Sequence, residues 1–74
     1  MLNIEKELMT LKENPNTGFH TEANLITYGS DKRLDIARWN GKRKRGSGIH
    51  LTLDEARELF KNADKILEVI NDNK

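Results

Sequence analysis

Four consecutive cations, Lys42, Arg43, Lys44 and Arg45, run into Gly46, Ser47 and Gly48, and the only tryptophan, Trp39, stands three residues before them. Clustered cations neutralise phosphates and release counterions, while an aromatic ring beside them stacks on an exposed base without reading its identity. The pairing therefore points to a polyanion, and to single-stranded nucleic acid in particular. Arg33 and Arg38 extend the positive charge upstream, and Phe19 and Tyr28 are further candidates for stacking. Gly46 and Gly48 could bring backbone N–H groups close to a phosphate, or could equally serve a turn.

Each of these features also has a plainer reading. The cation run could be a solvated hairpin loop whose charge discourages edge pairing. Trp39 could belong to the core or to a subunit interface, and Phe19 and Tyr28 divide evenly between core and ligand face. Asp35, set among cations, reads as an ion-pair or hydrogen-bond acceptor rather than an acid catalyst. His50 reads as a cross-strand packing residue. His20 and Glu22 alternate onto one face, but no third partner accompanies them to make a metal site or an acid–base pair.

Net charge conceals how local the basic feature is. Residues 1–31 contribute −3, residues 32–50 contribute +6 (seven Lys/Arg against Asp35), and residues 51–74 contribute −2, for a formal total of +1. A chain of 74 residues accommodates one domain, 1–74, and a domain this small without disulfides often needs a partner subunit to complete its core. There is no cysteine, so neither a disulfide framework nor thiolate chemistry is expected. Two isolated histidines argue against structural zinc, and neither a metal nor another cofactor is expected. No apolar run approaches the ~20 residues that cross a membrane, and a signal-peptide pattern is missing. The expected location is the cytoplasm, at the nucleoid if the host is bacterial, with no membrane partner.

The elements that must position these residues follow from periodicity and turn chemistry. Residues 2–12 are ambiguous. Ile4, Leu8 and Leu11 have helical spacing, whereas a strand requires a change of phase near Leu8 and Met9, as a bulge would provide. Residues 13–18, Glu-Asn-Pro-Asn-Thr-Gly, are a turn. Residues 19–28 alternate as a half-buried strand, with Phe19, Thr21, Ala23, Leu25 and Thr27 on one side and His20, Glu22, Asn24, Ile26 and Tyr28 on the other. After a turn at 29–32, a third strand sets Leu34, Ile36 and Arg38 against Arg33, Asp35, Ala37 and Trp39. A brief fourth strand is expected over 48–51. Thr52 and Glu55 form a capping-box pattern ahead of one amphipathic helix to about residue 70, whose apolar stripe includes Leu59, Phe60, Ala63, Ile66, Leu67 and Ile70. The expected fold class is α+β: a four-stranded antiparallel sheet followed by one C-terminal helix. The stripe is wider than such a sheet can cover, so homodimerisation through the helices is expected to complete the core.

At this point the sequence resembles a known family. Leu34-Asp35-Ile36-Ala37-Arg38-Trp39, the basic linker, Gly48-Ile49-His50-Leu51-Thr52-Leu53 and the final helix are similar to the C-terminal domain of the positive cofactor four transcriptional coactivators. The small bacterial YdbC-like members look closer still. The resemblance extends through Glu7, Leu8, Leu11 and the turn at Glu13 and Asn14, and so covers nearly the whole chain. It implies a strand at the N-terminus, a strongly curved ββββα sheet, dimerisation through the helix and sheet edges, and sequence-independent binding of single-stranded DNA. It also implies that Trp39 is the aromatic of the third strand, that residues 42–45 are the basic loop, and that Gly48 is the structural glycine. The family usually carries Arg where this chain has Ala37, with Arg38 one position later. A one-residue displacement moves a side chain to the opposite face of a strand, so Arg33, which shares the face of Ala37 and Trp39, is the candidate to compensate.

The leading expectation is a non-enzymatic homodimer that binds single-stranded DNA with little sequence preference, serving transcription, replication or repair and meeting proteins of those processes. One alternative is an adaptor that docks an acidic protein through the basic loop. Another is an RNA-binding module, which would need contacts to the 2′-hydroxyl. Duplex DNA fits poorly, because no recognition-helix pattern exists and the C-terminal helix is net acidic. An enzyme is not expected: no nucleophile–base pair, phosphate fingerprint or carboxylate cluster stands at usable spacing.

Overall fold

The N-terminal ambiguity resolves as a strand. In the computed structural model, which describes residues 2–41 and 44–73, β1 (Leu2–Glu13) pairs antiparallel with β2 (His20–Tyr28) through three register shifts, at Glu5, Leu8 and Leu11. Each shift inserts one extra residue into β1. Positions on one face of this strand therefore recur at 3, 6, 9 and 12, and on the other at 4, 7, 10 and 13. A bulge at every third residue turns the period of two into a period of three, close enough to 3.6 to mimic a helix. The expected change of phase at Leu8 is one of these three insertions.

β3 (Asp31–Trp39) and β4 (Arg45–Leu51) complete an open antiparallel sheet in the order β1-β2-β3-β4. The turn before β2 closes through Gly18, whose φ of 77° is left-handed backbone that glycine adopts without strain. β4 begins three residues earlier than its expected start at 48. Arg45, Gly46 and Ser47 thus belong to the sheet, and the connection from Trp39 is correspondingly short. Lys42 and Arg43 lie outside the described residues.

The chain ends in two helices, where one was expected. α1 (Leu53–Lys61) opens with the anticipated capping box: Thr52 Oγ1 accepts from the Glu55 N–H at 3.2 Å, and the Thr52 N–H donates to Glu55 Oε1 at 2.9 Å. Hydrogen bonding of the Glu55 carboxylate to Thr52, through its backbone N–H foremost and its side chain next, holds that carboxyl below its ordinary value, with Arg33 and His50 adding a smaller attraction. The break falls at Asn62. Its side-chain Nδ2 donates to the Glu58 carbonyl at 2.9 Å, taking the acceptor that a continuous helix would offer to the Asn62 N–H. That N–H turns instead to Leu59 O at 3.2 Å, and α2 (Ala63–Asp72) starts again with Ile66 N–H donating to Asn62 O at 3.0 Å. A short amide competing with the backbone is a recognised way to interrupt a helix.

Register assigns every paired residue to a face. α1 lies on the side of Leu25 and Leu34, where Leu53, Ala56 and Phe60 share a groove with them. The opposite face buries Ile26, Asn24, Asp35, Glu22, Ala37 and Trp39. The helices do not account for this burial, since α1 lies on the other face, against β3 and β4, and α2 touches only α1. A sheet that coils towards one face buries side chains in this way, and the bulges of β1 supply the extra twist. The buried hydrophobic set is small, and three of its five members are alanines: Ala23, Ala37 and Ala56 beside Ile26 and Trp39. A core of that volume is thin for a free-standing domain.

Candidate nucleic-acid interface

Charge is sorted between the two faces of the sheet. Among the paired positions, the α1 face carries Lys6, Lys12, Lys32 and Arg38 and no acid. The opposite face carries Glu7, Glu13, Glu22, Asp31 and Asp35, with Arg33 and Arg45 as its Arg/Lys residues. Both of those arginines are engaged by carboxylates. Arg33 meets Asp31 at 3.3 Å, and Arg45 holds Asp35 through two bonds, Nη2 to Oδ1 at 2.7 Å and Nε to Oδ2 at 3.2 Å.

This sorting divides the residues that the sequence nominates. At the loop end of the α1 face, Phe19 and Arg38 come together: the guanidinium carbon stands 5.7 Å from the ring centroid, within cation–π range. Lys12, Asn14 and Thr21 join them around a half-open cavity of about 350 Å³ that also touches His20. The turn that carries Phe19 is fixed locally. Asn14 N–H donates to Phe19 O at 2.8 Å, Gly18 N–H to Asn14 O at 3.0 Å, and Asn14 Oδ1 accepts from the Asn16 N–H at 3.0 Å. Gly18 neighbours Gly41: a Cβ at 18 would sit 3.7 Å from the Gly41 backbone, ordinary contact distance. The β1–β2 turn thus lies against the start of the basic loop. Lys44 is exposed at the far side of that loop, whose base is closed by Asn40 N–H to Lys44 O and Lys44 N–H to Asn40 Oδ1, both 3.1 Å.

Tyr28 and Arg33 form a second cluster, on the opposite face and at the other end of β2, ~30 Å away at ~3.3 Å per residue. Arg33 stands 5.3 Å from the Tyr28 centroid, and the His50 ring packs on Tyr28 at 4.8 Å. Arg33 Nη1 also lies 3.1 Å from His50 Nδ1, so its guanidinium is shared among Tyr28, His50 and Asp31. His50 is a cross-strand packing residue here, as its position suggests.

No match to this chain is found among protein-family models, curated proteins or solved structures.

The remaining nominated residues are placed as follows. Trp39, expected to offer a stacking face, is 6% exposed and belongs to the sheet's own packing on the face opposite Phe19. Arg45, expected to contact phosphate, is committed to Asp35, whose hydrogen bonds raise the guanidinium's pKa over the opposing effect of burial. Gly46, expected in the loop, and Gly48, expected as a loop glycine where the fourth strand begins, both lie inside β4. A Cβ at Gly48 would lie 2.3 Å from Ala37 Cβ and 2.7 Å from Ile36 O, so this glycine exists to let β3 and β4 approach. Asp35 is fully buried and acts as an ion-pair acceptor. His20 Nε2 and Glu22 Oε2 lie 2.8 Å apart, and Asn24 Nδ2 donates to Glu22 Oε1 at 2.9 Å, a row of structural contacts along β2. Among the described residues no group of three His, Asp or Glu side chains is arranged to hold a metal ion, and no helix is long and apolar enough to cross a membrane.

Lys12 is the member of this constellation that sequence reasoning missed. It sits in a mixed stretch of β1, far in sequence from the basic run. The signal that could have found it is the hairpin register, which sets Lys12 opposite Thr21 and Thr21 opposite Arg38.

Proposed function

We propose that this protein is a non-enzymatic binder of single-stranded nucleic acid, DNA in the first instance, acting as a homodimer with little sequence preference. The observation that carries the reading is the cavity at the loop end of the face whose paired positions hold no acid. There an exposed Phe19 ring stands beside Arg38 and Lys12 and next to the basic loop. A ring face accepts any base, and the flanking cations meet the phosphates on either side, which is the chemistry of sequence-tolerant strand binding. The similarity of residues 34–53 to the positive cofactor four family, and to its YdbC-like members, supports the same class of ligand, although the aromatic it marks, Trp39, is buried on the other face. A place in transcription, replication or repair, in the cytoplasm or at a bacterial nucleoid, accords with such binding.

Dimerisation is supported by what α1 and α2 leave uncovered. Leu59, Phe60, Ala63, Ile66 and Leu67 line one shallow groove, and Ile66, Val69 and Ile70 line the next. α2 has no buried residue. A second copy laid against this stripe would supply the apolar volume that the thin core lacks. Sedimentation of the wild type as a dimer, with Ile66→Glu dissociated or unfolded, is the expected result; a monomeric wild type would remove this part of the reading.

Fluorescence anisotropy with labelled oligo-dT, matched duplex DNA and matched RNA, each across a salt series, tests the whole. The expected outcome is salt-sensitive binding to oligo-dT, with log K falling by roughly 0.7 per phosphate contact for each decade of salt, and weaker duplex binding. Stronger binding to RNA would reassign the ligand. Binding to no strand at moderate salt would leave the basic loop to an acidic protein surface, the adaptor alternative.

A further inference from the structure

The pairing of β3 with β4 is regular from Leu34↔Leu51 to Ala37↔Gly48 and then shifts before Trp39↔Arg45. At such a bulge the ladder of backbone hydrogen bonds is locally disrupted. The base of the basic loop, Asn40 and Lys44, therefore lies beyond an interruption in the β3–β4 ladder. A side-chain contact spans this gap. From its place beside Trp39, the Arg45 guanidinium reaches past the shift to Asp35, four residues back along β3, and binds it through two nitrogens. The residues between are the smallest available: Ala37, 2% exposed, faces Gly48, which has no room for a Cβ. Asp35 is wholly buried, so breaking the pair leaves an uncompensated charge inside the sheet.

We infer that Asp35 and Arg45 are positioning residues for the polyanion site: together they clamp the base of the β3–β4 loop onto the sheet and so fix where Lys44 stands relative to Phe19 and Arg38. This rests on the function proposed above, and it reverses two expectations drawn from charge alone. An acid becomes a determinant of polyanion affinity, and one arginine of the basic run contributes through geometry rather than through contact with phosphate. A planar fork suits the task and a lysine does not, because the ammonium cannot make the paired contact with a carboxylate.

Two variants test the clamp, Arg45→Lys and Asp35→Asn. Arg45→Lys keeps both the charge and the tryptic site. It is expected to weaken oligo-dT binding about tenfold, the equivalent of about 1.4 kcal/mol, with the salt slope unchanged. Without any nucleic acid, and well below the unfolding midpoint, it is expected to accelerate tryptic cleavage after Lys44 and to shift the emission of Trp39, the only tryptophan, to the red. Asp35→Asn raises the net charge and is expected to weaken binding all the same. Should Asp35→Asn fail to fold, Arg45→Lys decides alone. Wild-type affinity together with wild-type cleavage in Arg45→Lys overturns the inference, as does tighter binding by a folded Asp35→Asn. A fall in salt slope of roughly 0.7 for Arg45→Lys also overturns it, since that marks a lost phosphate contact. A wild type that binds no strand sinks the functional reading instead, and the cleavage and emission measurements then judge the clamp by themselves.

Discussion

Phe19 with Arg38 and Tyr28 with Arg33 carry the same signature, an aromatic ring under a guanidinium, with Phe19 44% and Tyr28 46% exposed. Their surroundings set them apart. Arg33 is divided among Tyr28, His50 and Asp31, and His50 already packs on the ring, so both groups of that cluster are engaged within the protein. Phe19 and Arg38 open onto a cavity shared with Lys12, on a face whose paired positions hold no acid. The difference teaches that an aromatic and a cation are open to a ligand only where neighbouring groups leave them unengaged. Local carboxylates and a second ring decide this.

The largest effect expected from a single substitution separates the buried ring from the exposed ones. Trp39→Ala should lower stability by about 3–5 kcal/mol, the cost of emptying a large core site, as read from urea unfolding followed by circular dichroism. A variant of undiminished stability that binds oligo-dT poorly would make Trp39 a stacking residue and move the interface to the other face. Gly48→Ala acts on the strand that carries both His50 of the Tyr28 cluster and Arg45 of the loop clamp. With its Cβ driven against Ala37 and a main-chain oxygen, a loss of roughly 3 kcal/mol is expected in the same assay, near the upper end for overpacking. Wild-type stability would mean that β4 shifts without consequence. Arg38→Gln is milder. It should reduce the salt slope on single strands by roughly 0.7 and leave stability within about 0.5 kcal/mol, whereas Arg33→Gln should do the reverse, because its partners are within the protein. The smallest effect belongs to the start of α1. The folded Glu55 carboxyl titrates below its unfolded value, so its support for the helix is complete above the unfolded value and fades as pH falls through the folded one. An NMR titration that finds Glu55 at or above its ordinary value would contradict the capping box.

Much of this architecture was legible in the sequence. The alternation of β2 and β3, the capping box at Thr52 and Glu55, and the acceptor role of Asp35 follow from residue type and spacing. What escaped did so for physical reasons. β1 mimicked a helix because bulges at Glu5, Leu8 and Leu11 changed its period. The single long helix broke because Asn62 captured the Glu58 carbonyl, a choice that an amphipathic stripe does not record. Arg45 reads as one cation among four until Asp35 is found on the same face. The site itself depends on pairings of residues distant in sequence: Lys12, Phe19 and Arg38 share no motif, and only three strands in register bring them to one cavity.

The most direct test of the account compares the affinities of Phe19→Ala and Tyr28→Ala for labelled oligo-dT at one moderate salt concentration. The loop-end site predicts that Phe19→Ala loses about 1–3 kcal/mol of binding with the fold intact, and that Tyr28→Ala stays within about twofold of the wild type. Equal losses, or a larger loss at Tyr28, would contradict it and place the strand across the face that the account reads as structural.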